Sequence, residues 1–99
     1  MVTDMTRFMI RVELHNARLT EQYERLHALL AQHGIVNVIV SDGGQRYRLP
    51  PAEYYYYGNS TRETLLATAK QCANQVDWNN SVVVTESTAI IWDNLKQVA

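Results

Sequence analysis

Hydrophobic and polar positions alternate over Thr6–Leu14. Phe8, Ile10, Val12 and Leu14 make one face, while Arg7, Met9, Arg11 and Glu13 make the other. Strand side chains point to opposite faces in turn, so a period of two predicts a half-buried strand. After the loop His15-Asn16-Ala17-Arg18 the period lengthens. Tyr23, Leu26, His27, Leu30 and Ala31 form one helical stripe, Thr20 is the expected N-cap and Gly34 the stop. A first helix over about Glu21–His33 follows. Ile35–Val40 is rich in β-branched residues and predicts a strand. Ser41-Asp42-Gly43-Gly44 supplies turn chemistry, and Gln45–Leu49 is the return strand.

Pro50-Pro51 interrupts the ladder because proline lacks an N–H. The run Tyr54-Tyr55-Tyr56-Tyr57 then predicts a strand Glu53–Tyr57, closed by Gly58-Asn59. Ser60-Thr61-Arg62-Glu63 has the form of a capping box. Leu65, Leu66, Ala69, Cys72, Ala73 and Val76 follow at helical spacing, for a helix over about Thr61–Val76 whose small inner face suits close packing on a sheet. Ser81–Thr85 is the last clear strand. The tail, with Ile90, Ile91, Trp92 and Leu95, suits a short strand or a helical turn equally. The order β-α-β-β-α-β predicts an α+β ferredoxin-like sandwich: a four-stranded antiparallel sheet with two helices on one face. Its central pair would be Thr6–Leu14 and Glu53–Tyr57. A single domain over residues 6–96 follows a loose N-terminal end at residues 1–5.

Composition narrows the function classes. Ninety-nine residues with 46% hydrophobic and 19% charged content fit one ordinary globular domain. A net charge of −1 makes no general electrostatic case for nucleic acid or an acidic membrane. The cations are nonetheless mostly arginine, which suits planar anions and stacking on rings. The single cysteine, Cys72, excludes an internal disulfide and fits a reducing, cytoplasmic setting. No apolar run approaches the roughly 18 residues of a membrane span, and no leader pattern is visible.

Single-stranded RNA is commonly held by bases stacked on sheet aromatics, with arginines on phosphates. Arg7, Arg11, Arg46 and Arg48 with Tyr54 and Tyr56 are the expected RNA-binding set, although the pattern alone leaves open which tyrosine pair faces outward. The competing reading is a non-enzymatic interaction module that forms a homodimer through the same face. Among the histidines, His27 lies on an apolar helical stripe and His33 at a helix C-terminus, where a cation is favoured. His15, in the loop after the first strand, is the candidate catalytic acid–base. No residue spacing points to a metal, a phosphate loop or another cofactor.

Three blocks carry a family resemblance. They are Arg7-Phe8-Met9-Ile10-Arg11-Val12-Glu13-Leu14-His15; Tyr47-Arg48-Leu49-Pro50-Pro51-Ala52-Glu53-Tyr54 with Gly58-Asn59-Ser60-Thr61-Arg62; and Val82-Val83-Val84-Thr85-Glu86-Ser87. Over about residues 6–96 the chain resembles the small bacterial proteins grouped with GhoS, the endoribonuclease antitoxin of type V toxin–antitoxin systems. That resemblance implies a ferredoxin-like fold related to small CRISPR-associated nucleases. It also implies cleavage of single-stranded mRNA, that of a small membrane toxin. Glu13-Leu14-His15-Asn16 stand where those nucleases carry the aspartate that ends their first strand, so the expected cleavage is metal-independent. The residues themselves leave open whether the sheet cleaves RNA or only holds it.

Overall fold

The computed structural model describes residues 5–17 and 19–98. In chain order the elements are β1 (Thr6–Leu14), α1 (Thr20–Ala31), β2 (Val38–Val40), β3 (Arg46–Arg48), β4 (Glu53–Gly58), α2 (Arg62–Asn74), β5 (Asn80–Ser87) and β6 (Gln97–Val98). β1 is the centre of a first antiparallel sheet in the order β4-β1-β5, with Met9 opposite Tyr55 on one side and Thr85 on the other. A second antiparallel sheet, β2-β3-β6, is built from the hairpin and the end of the tail. The tail therefore ends in a short strand. Residues 1–4 of the expected loose end, and Arg18 of the first loop, lie outside the described residues.

The core lies between the first sheet and the helices. The alternation of β1 sends Phe8, Ile10, Val12 and Leu14 inward, against Leu26 and Leu30 of α1 and Leu65, Ala69, Cys72 and Ala73 of α2. Tyr54 joins them fully buried. The small residues of α2 let its backbone come close to the strands, and both helices cover the same face. Burial pushes the Cys72 thiol up from its ordinary value.

The α+β class holds, but the single four-stranded ferredoxin-like sheet does not form. Only Val36 continues the first sheet past β4, through one bridge to Tyr55 whose two backbone bonds are 3.0 and 2.7 Å. Beyond it the chain turns toward its own hairpin partner: the Asn37 carbonyl accepts from Leu49 N–H at 2.9 Å, and Val38–Val40 pairs with Arg46–Arg48. Two features keep β3 from running on into β4. The two prolines give no N–H to a ladder, and Ala52 sits at φ 70°, a left-handed conformation that reverses the chain.

The helix caps differ from expectation by one residue each. Leu19 is the N-cap of α1, and the Gln22 side chain reaches back to accept its N–H at 3.2 Å. Thr61 caps α2 by accepting Thr64 N–H at 3.1 Å, where the capping box had pointed to Ser60. In the hairpin turn, Gly44 takes φ 86°, a left-handed conformation that glycine adopts without strain.

Candidate functional site

The face of the first sheet away from the helices is open. β1 places Arg7, Met9, Arg11 and Glu13 on it, and the antiparallel register sets Tyr57, Tyr55 and Glu53 of β4 beside the first three. Ser81, Val83, Thr85 and Ser87 of β5 flank them on the other side. Arg7 Cζ stands 5.7 Å from the Tyr57 ring centroid, within cation–π range. Its Nη1 donates to the Thr88 carbonyl at 3.4 Å. Arg11 Nη1 donates to Glu53 Oε1 at 3.0 Å. An exposed pair of this kind adds little stability, so an incoming phosphate can compete for the guanidinium.

The tyrosines divide in the opposite sense to the expected assignment. Tyr54 is fully buried, its hydroxyl 2.7 Å from His27 Nδ1, and cannot stack on a base. Tyr56 faces the same way. Its ring packs on Phe8 with centroids 6.1 Å apart, and a methyl group placed on Gly58 would come within 2.9 Å of it. The outward pair is Tyr55, half-buried, and Tyr57, 52% exposed. Four identical residues carry no phase of their own. The neighbouring Glu53 does, because its charge belongs on the solvated face and strand alternation then assigns Tyr55 and Tyr57 to that face as well.

The four arginines are also divided. Arg7 and Arg11 stand on the open face, whereas Arg46 and Arg48 belong to β3 in the second sheet. Arg48 lines a cleft of about 370 Å³ with Tyr23, His27 and Glu53. Burial lowers the His27 pKa below its ordinary value of 6.5, the Arg48 charge lowers it further, and Glu24 partly opposes them. A neutral imidazole suits the Tyr54 contact, since Nδ1 can then accept the phenol proton. Burial, assisted by Tyr23, holds the Tyr54 hydroxyl well above the usual phenol range.

His15 lies in the turn after β1, on a well-tied loop. Its N–H donates to the Asn79 carbonyl at 2.9 Å, and Asn16 N–H donates to Asp77 Oδ2 at 2.7 Å. That loop is pinned in turn by Lys70 Nζ on Asn80 Oδ1 at 2.6 Å and by Asn80 Nδ2 on the Asp77 carbonyl at 2.7 Å. The His15 ring is exposed, with Nε2 2.7 Å from Ser81 Oγ and Nδ1 3.5 Å from Glu13 Oε1. A carboxylate on one nitrogen and a hydroxyl on the other is a geometry that can accept and pass a proton. Ser81 had no sequence signal beyond strand propensity; the β1–β5 register brings it to His15. The eight residue steps from Arg7 to His15 span roughly 26 Å at strand rise, so the two mark opposite ends of the face.

Sequence reasoning missed a cleft of about 400 Å³ at the Arg7 end, where Tyr55, the hairpin turn at Asp42 and Trp92 of the tail meet. Its walls come from four distant segments, which no local pattern connects. Among the described residues, no group of three or more His, Cys, Asp or Glu side chains is placed to hold a metal ion, and no helix is long and apolar enough to cross a membrane. No family model, curated protein or solved structure matches the chain.

Proposed function

We propose that the open face of the first sheet binds single-stranded RNA, and that the protein is a metal-independent endoribonuclease of the GhoS-like antitoxin kind, acting in the cytoplasm. The observation that carries the binding reading is the Arg7 guanidinium over the half-exposed Tyr57 ring, with Tyr55 beside it on a sheet face that no helix covers. Bases stack on the tyrosines while Arg7 and Arg11 take phosphates. The cleavage reading and the target, the mRNA of a small membrane toxin, are supported by the sequence resemblance. Its three blocks contain nearly all of β1, the approach to β4, and most of β5, which are the strands that build this face.

In the cleavage step Ser81 Oγ gives up its contact with His15 Nε2, which then takes the proton of a ribose 2′-hydroxyl. The 2′-oxygen attacks the adjacent phosphorus, and the 5′-oxygen leaves as an alcohol with a proton from water. The products are a 2′,3′-cyclic phosphate and a 5′-hydroxyl end. The test is incubation of purified protein with mixed-sequence single-stranded RNA, with and without EDTA, beside a His15→Ala variant. Cyclic-phosphate fragments that persist in EDTA and disappear in the variant support the reading. Unchanged cleavage by His15→Ala removes His15 from it, and intact RNA with no gel shift at low salt removes the function.

A second reading rests on Val83, 57% exposed on the same face beside Arg11. An apolar residue there suits a homodimer that covers the sheet. A light-scattering mass of two chains, with Tyr57 protected from solvent, would favour this interaction module over RNA binding.

A further inference from the structure

The cleft at the Arg7 end has walls and polar groups of different kinds. Tyr55 and Trp92 supply aromatic surface and Ile90 apolar wall, and Arg7 and Asp42 are the charged residues of the lining. Trp92 is steadied by Tyr47, whose ring centroid lies 5.6 Å away at an interplanar angle of 55°. Arg7 is fixed by the Thr88 carbonyl and the Tyr57 ring, yet a guanidinium carries five N–H donors and those contacts leave several for a ligand. Ser41, also in the lining, has its hydroxyl engaged with Gln45, donating to Oε1 at 2.9 Å and accepting from N–H at 3.1 Å. The Asp42 carboxylate is the one anionic side chain in the lining, and among the described residues it has no hydrogen-bond or ion-pair partner. About 400 Å³ lies within the usual size of a small-ligand pocket and admits one nucleotide.

A carboxylate selects among bases by the edge it meets. It is acceptor-only, so it favours two donors side by side. Guanine offers N1–H next to its N2 amino group. Adenine and cytosine set one amino group beside a ring-nitrogen acceptor, and uracil sets one N–H between two carbonyls; each brings a lone pair against the carboxylate. We propose that this cleft is a guanine-nucleotide subsite: the base enters among Tyr55, Trp92 and Ile90, the Asp42 carboxylate accepts from N1–H and the N2 amino group, and Arg7 takes the phosphate. As a subsite for one residue of a bound strand it rests on the RNA-binding reading. As a pocket for a guanine nucleotide it stands on the cleft alone.

The test follows the Trp92 indole N–H resonance in the full chain, assigned with a Trp78→Phe variant that removes the other tryptophan. The probes are GMP, AMP, CMP and UMP, then two single-stranded oligoribonucleotides, one with guanine and one without. Expected is a Trp92 shift with GMP at concentrations about 5- to 150-fold below those needed for AMP, the range a good bidentate base contact discriminates. Asp42→Asn, an exposed turn substitution that leaves the core intact, should abolish that preference. A Trp92 shift with the guanine oligomer and none with the guanine-free one supports the subsite and the RNA reading together. Oligomers that bind without base preference and without moving Trp92 overturn the subsite and leave RNA binding standing. GMP binding without oligomer binding supports the pocket and overturns the RNA reading. Equal response to all four mononucleotides overturns the proposal.

Discussion

The two faces of the first sheet are made from the same strands and, at β4, from the same amino acid, yet their surroundings are opposite. On the helix side Tyr54 and Tyr56 are packing residues, one bonded to His27 and the other lying over Gly58. On the open side Tyr55 and Tyr57 meet a cleft and a guanidinium. One step along a strand moves a tyrosine from the packed core to the open face, so residue type alone does not fix its surroundings; register and the neighbour across the strand decide them.

The sharpest way to break the comparison is to truncate one tyrosine from each face. Tyr54→Ala should cost about 3–5 kcal/mol of folding stability, the range for deleting a buried aromatic, read from denaturant unfolding. Tyr57→Ala, at a residue 52% exposed, should change the unfolding free energy by no more than roughly 0.5 kcal/mol, as surface changes usually do, and weaken RNA binding by about 1–3 kcal/mol, the worth of one base–aromatic stack. If the two variants exchanged effects, the orientation of the run would be wrong.

That orientation shows how far the sequence could be read. The alternation of β1 fixes its inward face without ambiguity, because Phe8, Ile10, Val12 and Leu14 interleave with charge. The helices follow from the spacing of Leu26 and Leu30 and of Leu65, Ala69 and Cys72. The tyrosine run is silent by comparison, because inward and outward positions are chemically identical and only Glu53 carries a sign. The second sheet was hidden for another reason. Whether Val36 extends a strand beyond one bridge depends on competition between β4 and the hairpin, which is settled by the left-handed turn at Ala52 and by Gln97–Val98 arriving from the far end of the chain. The His15–Ser81 contact and the Trp92 cleft are likewise products of register between distant segments.

Charge on the open face gives a smaller effect. Arg7→Gln and Arg11→Gln should each weaken RNA binding uniformly across sequences and reduce the slope of log affinity against log salt by about 0.7, as expected for loss of one phosphate contact to a single strand. A slope unchanged in both would remove phosphate binding from this face.

The smallest effect is on the covered side and depends on pH. His27 has a depressed pKa in the fold, so the unfolded chain binds its proton more readily. Its contribution to stability is fully present above the ordinary value of 6.5 and is lost as pH falls through the lower folded value. Melting temperature should therefore fall between pH 7 and pH 5 by more in the wild type than in His27→Gln. Parallel curves would show that His27 titrates alike in both states.

The single bridge from Val36 to Tyr55 has a consequence for how the molecule opens. A sheet continuous across that point would unfold as one unit; with one pair of ladder bonds joining them, the hairpin and tail can separate while the helix-backed sheet stays intact. Amide hydrogens at Ser41 and Arg48 should exchange with solvent deuterium through such partial openings, whereas those of Ile10 and Val12 should wait for global unfolding. The cleft is walled by both parts, so any molecule seated in it would hold the two together and slow that partial exchange.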